Sequence, residues 1–269
     1  ITSNGKSNQA LAVAADTDVE RFSELAGRRV AWVRGAPALN VSTEAFLACG
    51  GLGWEDVERV EFPGYGAMWN GIVAGQVDAA YATTVSGPTR KLEASPRGIR
   101  WPPVPHDDEA CWRRLKAVAP YFTRHVATRG ANISDEAPHE GATYPYPLLI
   151  TTAEQDADMV HALTRAIGEN YDAYKDADPG AIGWAQRYQI FDWVVPWHEG
   201  AVRYWREVGA WNERLEAHNQ RLLRRQRILA DAWSEVQRLG IDDEQRFRET
   251  WMKLRTLRLE EAGFDPVWR

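Results

Sequence analysis

The sequence predicts an α/β fold built on a parallel-rich sheet. Three short apolar runs, at residues 30–33, 57–62 and 77–81, have the length and composition of buried strands. Two segments with helical periodicity, residues 43–49 and 67–74, lie between them, so the local order is βαβαβ. Strands joined through helices cross over in a right-handed sense and run parallel.

The loops that follow these three strands are the first place to expect a ligand. They are residues 34–37, 63–66 and 82–84. Open parallel sheets bind ligands at the carboxyl ends of their strands, where helix N-termini present unpaired N–H groups.

Arg34 stands at the end of the first strand, and Asn40, Ser42 and Thr43 follow it. The three polar residues are candidates for the cap of the next helix. Alternatively, the planar guanidinium of Arg34 and the positive end of that helix would together hold a carboxylate. The residues alone leave both interpretations open. The other two strand ends offer Tyr65, Trp69, Tyr81, Thr83 and Thr84.

Shorter elements flank this central unit. A strand at residues 11–15 needs a partner that nothing upstream supplies, so we expect it to cross from another lobe. Residues 99–101 and 125–128 are further candidate strands. The acidic residues 107–109 suit the positive first turn of a helix that runs to Tyr121.

The second half of the chain is mainly helical. Residues 143–152 are predicted to be extended, because Pro145 and Pro147 restrict the residues before them. Thr152 and Gln155 form a capping box for the helix that follows.

Two further helical stretches complete the chain. Residues 198–211 form one helix, and an α-hairpin follows, with a break at Gly240 and a cap formed by Asp242 and Gln245. The arginines of the hairpin are interleaved with acidic residues, so we expect a solvated face rather than a basic binding patch.

Composition limits the class of protein. The 269 residues carry a net charge of −6, which argues against a general nucleic-acid surface. The 13 tryptophans suit core packing and ligand clefts. Without a run of about 18 apolar residues, direct insertion into a membrane is not expected.

Signatures of a metal site or an enzyme are missing from the sequence. Cys49 and Cys111 show no ligand-like spacing with one another or with histidine, so neither a zinc site nor a disulfide scaffold is indicated, and whether the two pair stays open. Nucleophile-elbow, phosphate-loop and dinucleotide motifs are also lacking. The carboxylates of Asp107 and Asp108 would do acid–base chemistry only in a desolvated cleft.

An ordered set of segments resembles the TAXI-type solute-binding subunits of tripartite ATP-independent periplasmic (TRAP) transporters. The resemblance covers about residues 11 to 210. The segments are LAVAADTDVERFSELAGRRVAWV, GGLGWEDVERVEF, NGIVAGQVDAAYATT and GATYPYPLLITTAEQDADMVHALTRAI.

The resemblance implies a type II periplasmic-binding-protein fold, in which two lobes close on a ligand. Residues 1–27 would be a remnant of lobe one with the crossing strand, and 28–140 would be lobe two. Residues 141–211 would return to lobe one, and 212–269 would be a helical extension outside the resemblance.

Two departures from the family pattern affect this expectation. The opening segments of lobe one have no counterpart before Ile1, so we expect a lobe that is truncated, divergent or completed by another chain. The Gly-Ser-Gly common at the lobe-two helix start is replaced by Ala36-Pro37-Ala38. Pro37 lacks an N–H donor, which shifts the expected anion contacts to Arg34, Ser42 and Thr43.

The resemblance implies a non-enzymatic, periplasmic binding protein that captures a small organic anion, with a carboxylate as the expected group. It would deliver the anion to the membrane permease subunits of a TRAP transporter, without a cofactor or a metal. Arg34 would pair with the anion. The expected hydrogen-bond donors are Asn40, Ser42, Thr43, Thr83 and Thr84, and the expected walls are Tyr65, Trp69, Tyr81 and Tyr144.

Two alternatives belong to other classes. A ligand-sensing or protein-interaction module derived from a binding protein would assemble through residues 212–269. An enzyme would work through His106, Asp107 or Asp108.

Overall fold

The computed structural model describes residues 1, 5–177 and 181–267, which form two compact units. The sheet unit comprises Ser3–Pro147 and Lys175–Gly183, and the helical unit comprises Ile1–Thr2, Leu148–Tyr174 and Trp184–Arg269. The division of the chain into lobes with boundaries after residues 27, 140 and 211 stays a prediction.

The sheet unit alternates strands and helices along the chain. Its elements are β1 (Gln9–Ala14), β2 (Arg29–Val33), α1 (Pro37–Cys49), β3 (Glu58–Phe62), α2 (Tyr65–Val73), β4 (Ala79–Thr83), α3 (Gly87–Glu93), β5 (Ile99–Arg100), α4 (Glu109–Val118), β6 (Thr123–Ala127) and β7 (His139–Thr143). The predicted α/β class and the predicted βαβαβ order are confirmed.

The strands form one mixed sheet in the order β3-β2-β4-β1-β7-β6, with β5 beside the end of β1. Strand β2 runs parallel to β3 and β4, as the helical connections require. Strand β1 is antiparallel to β4, β5 and β7, and β6 is antiparallel to β7. The strand predicted at residues 11–15 therefore finds its partners inside this sheet.

Alternating side chains of β1 supply the cores on both faces of the sheet. Leu11 packs with Phe46 of α1 in one core, whereas Ala12 packs with Met68 of α2 in the other. All six residues of the strand are buried, which is typical of a central strand covered by helices on both faces.

A disulfide bond joins Cys49 at the end of α1 to Cys111 in the first turn of α4. The pairing that the sequence left open is therefore formed. It closes a loop with a sequence separation of 62 residues and fixes two helices on the same face of the sheet. Disulfides persist mainly in oxidising compartments.

Helix α1 begins earlier than the sequence pattern indicated. Its cap residue is Ala36, whose side chain makes no capping bond, and Pro37 takes the first helical position. Asn40, Ser42 and Thr43 therefore lie inside the helix, so their prediction as caps was wrong. Proline is favoured at this position because its fixed φ suits a helix start and its missing N–H would be unpaired there.

The helical unit is organised around two pairs of helices. Its elements are α5 (Ala157–Glu169), α6 (Tyr171–Tyr174), α7 (Glu199–Glu207), α8 (Glu213–Arg238) and α9 (Glu244–Glu261). Helix α5 packs on α7, and α8 and α9 form the predicted hairpin. None of the helices in the described part of the chain combines the length and apolar character that a membrane crossing requires.

The caps of this unit differ from two predictions. Helix α5 is capped by Asp156, which accepts from the Met159 N–H at 2.8 Å, so the predicted capping box at Thr152 was wrong. Helix α9 is capped by Asp243 rather than Asp242.

Candidate functional site

One edge of the sheet collects the ends of most strands in the sheet unit. The pairing of Gln9 with Thr83 places the start of β1 beside the end of β4. The pairing of Thr123 with Thr143 places the start of β6 beside the end of β7. We call this the polar edge; it carries the carboxyl ends of β2, β3, β4 and β7, where ligands of α/β sheets bind.

Side-chain hydroxyls from four parts of the chain meet on one face of the polar edge. The Tyr121 hydroxyl lies 3.2 Å from Oγ of Ser42, and the rings of Tyr121 and Tyr144 are 5.3 Å apart and perpendicular. The Tyr81 hydroxyl donates to Oε1 of Gln9 at 3.0 Å and also interacts with Tyr144. We call these five residues the hydroxyl cluster.

The phenols of the hydroxyl cluster are held in their protonated form. Burial raises the pKa of Tyr121 and of Tyr144, and it raises the pKa of the fully buried Tyr81 well above its usual value. Burial disfavours the phenolate because the charged form loses its hydration. At neutral pH each of these side chains therefore keeps its hydroxyl proton, and that of Tyr81 is donated to Gln9.

The opposite face of the polar edge carries a second tyrosine contact. The Tyr65 hydroxyl, at the start of α2, lies 2.9 Å from Oγ of Ser86. Burial raises the pKa of Tyr65, so this phenol is also protonated. Its ring lies 6.4 Å from that of Trp69, whose side chain is only 2% exposed and belongs to the core beneath α2. Trp69 is therefore a core residue against which the Tyr65 ring packs.

Arg34 lies at the polar edge but is engaged by an acidic side chain. Its guanidinium is 3.5 Å from the Glu61 carboxylate, and Arg59 is 3.2 Å from the same carboxylate. Two guanidinium groups share one carboxylate, so the trio carries a net positive charge. The Arg34 side chain is 75% exposed, and solvent therefore screens its field.

Four other predicted donors are positioned by their own hydrogen bonds or their neighbours. Both side-chain polar atoms of Asn40 bond the backbone of Val33, and Thr43 donates to its own helix. Thr84 is fully buried and donates to the Arg129 carbonyl. Thr83 is half-buried at the end of β4.

The structure thus brings Ser42, Tyr81 and Tyr144 together, with Tyr65 on the opposite face. Arg34 stands apart with Glu61, and Asn40, Thr43 and Thr84 hold the backbone in place. The ligand role of all ten residues stays a prediction.

The sequence pattern missed Tyr121 and Gln9, because the strands beside them were predicted to start two residues too late. Strand β6 begins at Thr123 rather than His125, and β1 begins at Gln9 rather than Leu11. A signal for Tyr121 was present, since an aromatic residue just before a strand lies at a sheet edge.

One of the two carboxylates predicted for acid–base chemistry, that of Asp108, has a structural role. Asp108 caps α4 and accepts from the N–H groups of Ala110 and Cys111. The backbone N–H of His106 donates to Glu140 at 2.6 Å. Residues 1, 5–177 and 181–267 contain no group of histidine, cysteine, aspartate and glutamate arranged to hold a metal ion.

A family model describes most of the chain. The NMT1-like family model matches residues 4–209, which include the whole polar edge. The chain belongs to the NMT1-like family. This is a family of periplasmic solute-binding proteins.

Solved structures similar to this NMT1-like protein are also binding proteins. A putative periplasmic sulfonate-binding protein of Methylobacillus flagellatus is 16% identical, with 83% of this chain and 69% of that chain covered and a TM-score of 0.38. A Brucella ovis periplasmic binding protein with glutathione bound is 12% identical, with 64% and 46% covered and a TM-score of 0.31.

The second substrate-binding domain of Lactococcus lactis GlnP is 13% identical, with 38% of this chain and 42% of that chain covered and a TM-score of 0.27. The match thus spans less than half of the Lactococcus and Brucella proteins. At these TM-scores the neighbours carry no argument about the ligand. A search of curated proteins found no match to this NMT1-like chain.

Proposed function

We propose that this protein is an extracytoplasmic solute-binding protein that captures a small organic anion at the polar edge. The observation that carries the proposal is the hydroxyl cluster, in which Ser42, Tyr81, Tyr121 and Tyr144 converge from separate elements. Family membership supports the solute-binding role. The Cys49–Cys111 disulfide supports an oxidising compartment such as the periplasm.

The chemistry of the polar edge favours an anion with an apolar body. Protonated phenols donate hydrogen bonds to carboxylate oxygens, and their rings cover the hydrocarbon part of the ligand. The net positive charge of Arg34, Arg59 and Glu61 would attract the anion to this edge.

The proposed destination of the anion is the permease pair of a TRAP transporter, as the TAXI resemblance implies. The structural neighbours include proteins of ATP-driven transporters. The measurement that separates a TRAP transporter from an ATP-driven one is whether uptake of the anion requires ATP. Uptake of the anion into vesicles that carry the permease should continue when ATP is depleted. Uptake that stops without ATP would contradict the TRAP assignment.

A panel of mono- and dicarboxylates, titrated against intrinsic tryptophan fluorescence and thermal unfolding, tests the binding function. We expect at least one anion to quench the fluorescence and to raise the unfolding temperature. The double variant Ser42→Ala/Tyr121→Phe should lose both responses, whereas Tyr174→Phe in the helical unit should keep them. A panel without any response would overturn the proposal.

A protein-interaction module is the second candidate function. Large apolar side chains of the α8–α9 hairpin favour it, because Trp233 is 40% exposed, Leu239 57% and Leu257 48%. Light scattering separates the two functions. A monomer that responds to the anion supports solute binding, and an anion-indifferent oligomer that dissociates in a Leu257→Glu variant supports the interaction module.

A further inference from the structure

A cavity lies entirely within the helical unit. It has a volume of about 210 Å³ and is lined by α5, by the start of α7 and by two irregular segments, residues 148–151 and 190–198. The lining is mainly aliphatic and aromatic, with Leu163 from α5 and Trp193 and Trp197 from the second segment.

The mouth of this cavity exposes an unusual amount of apolar surface. Ile150 is 74% exposed, Met159 49%, Leu163 48% and Val195 41%. Single exposed apolar residues are ordinary, but a group around one opening marks a place where apolar matter binds. Met159 is unbranched and flexible, so it can move aside to admit a ligand.

His198 gives the cavity a directional polar group. Its Nδ1 accepts from the Gly200 N–H at 3.1 Å and thereby caps α7. In the neutral imidazole the proton then lies on Nε2, which is a donor. Among the described residues this Nε2 has no hydrogen-bond partner, although it is shielded from solvent. A desolvated donor without a partner is unfavourable, so an acceptor placed beside it would be stabilising.

The other polar side chains of the lining do not compete for such an acceptor from inside the cavity. The Thr164 hydroxyl donates to the Val160 carbonyl at 2.7 Å, and Thr151 is exposed at the mouth. The described side chains that line the cavity include no carboxylate, lysine or arginine. No side chain of the lining would therefore neutralise a charged occupant.

Volume sets the size of the occupant. A protein cavity of about 150 Å³ lined by aliphatic and aromatic side chains holds benzene. A cavity of about 210 Å³ has room for a ring with a short substituent. We propose that this cavity is a second binding site, for a compact neutral aromatic compound with a carbonyl oxygen that accepts from Nε2 of His198. This site is independent of the anion site at the polar edge.

Acetophenone and cumene form a matched pair of probes. Both are benzene rings with a three-atom substituent of similar shape, and only acetophenone has a carbonyl oxygen. Equilibrium dialysis against the full chain should show one equivalent of acetophenone bound, with a dissociation constant below about 1 mM. Cumene should bind about fivefold more weakly, which is the size of one neutral hydrogen bond.

Two variants test the named residues. His198→Asn retains a good cap for α7 but removes the Nε2 donor. The affinity for acetophenone should therefore fall to that for cumene. Leu163→Trp should block the mouth and abolish binding of both probes, whereas Val208→Trp, at an exposed apolar position that does not line the cavity, should leave both unchanged.

Three outcomes would overturn the proposal. They are equal binding of the two probes, retention of acetophenone preference in His198→Asn, and failure of either probe to bind. Sedimentation of the wild type completes the test, because a dimer that dissociates in Leu163→Trp would show that a second copy covers this mouth.

Discussion

The Tyr121 hydroxyl lies 3.2 Å from Oγ of Ser42, so the residues before β6 are joined to helix α1 at the polar edge. The contact places two hydroxyls side by side where an anion is proposed to bind, and the one that accepts in this bond keeps its proton for the anion. Tyr121→Phe should lower anion affinity about tenfold, since a hydrogen bond to a charged group contributes about 1.5–3 kcal/mol. Fluorescence titration measures the loss.

Tyr174→Phe is the matched control for this substitution. The Tyr174 hydroxyl donates to the Ile167 carbonyl at 2.9 Å within the helical unit, so the variant loses a similar bond elsewhere. Equal affinity in the wild type and Tyr121→Phe, with a normal unfolding midpoint, would exclude Tyr121 as a ligand contact.

Arg34 should act on anion binding mainly through its charge. Arg34→Ala should weaken affinity about threefold to fivefold at low salt and less at high salt, because exposed charges are screened within about 10 Å at 0.1 M ionic strength. Titrations at two salt concentrations give both values.

Arg90→Ala is the control for charge at a distance, since Arg90 pairs with Glu93 on α3. A salt-independent loss in Arg34→Ala would instead point to a change in structure. No loss at either salt concentration would remove Arg34 from the anion site.

The sequence predicted the three central strands of the sheet but not how the outer strands pair with one another. Local periodicity locates β2, β3 and β4, because helices connect them directly. The pairing of β6 with β7 joins Thr123 to Thr143 across a connection without periodic signal, so Tyr121 was not placed at the edge. The start of α1 was missed because Ala36 gives no capping side chain to recognise.

The site was predicted only in part for a similar reason. Strand ends identify which residues lie near one another, but they do not decide which side chains remain free. Asn40 has the right type and position for a ligand donor, yet its amide bonds the Val33 backbone. Arg34 meets Glu61 because β2 and β3 are paired neighbours in the sheet. The local sequence pattern around Arg34 does not predict this ion pair.

The Cys49–Cys111 disulfide should contribute a large share of stability. Closing a loop with a sequence separation of 62 residues lowers the entropy of the unfolded chain, and the chain-entropy model gives about 4 kcal/mol for this length. The double variant Cys49→Ser/Cys111→Ser should therefore unfold at a lower urea concentration, with a loss of about 2–4 kcal/mol in the free energy of unfolding.

Reduced wild-type protein is the control, because it lacks the crosslink but keeps both sulfur atoms. Its urea midpoint should lie close to that of the double variant. A midpoint that does not change on reduction would contradict a stabilising role for this bond.

A buried network around Asn8 should make stability depend on pH. The Asn8 amide nitrogen lies 3.0 Å from Nδ1 of His139, and its carbonyl oxygen accepts from Nδ1 of His125 at 2.7 Å. His139 Nε2 then donates to the Pro102 carbonyl at 3.2 Å. Burial lowers the pKa of both histidines, although nearby Glu140 opposes the shift at His139, and His106 adds to it at both.

These lowered pKa values fix the direction of the effect. Below the ordinary histidine pKa of about 6.5 the unfolded chain takes up protons that the folded protein resists, so stability falls as pH decreases. Protonation of His139 at Nδ1 would also remove one of the three acceptors around the Asn8 amide nitrogen, the other two being the His125 and His139 carbonyls. The free energy of unfolding in urea should therefore be lower at pH 5.5 than at pH 7.5, a range above the titration of ordinary carboxylates.

His139→Gln tests the origin of this dependence, because glutamine offers an acceptor and a donor but does not titrate. Its stability should change less between the two pH values than that of the wild type. His218→Gln in the helical unit, where the ring contacts the Trp193 carbonyl, is the matched histidine-to-glutamine control outside the Asn8 network. An unchanged slope in His139→Gln would show that the pH dependence arises outside the Asn8 network.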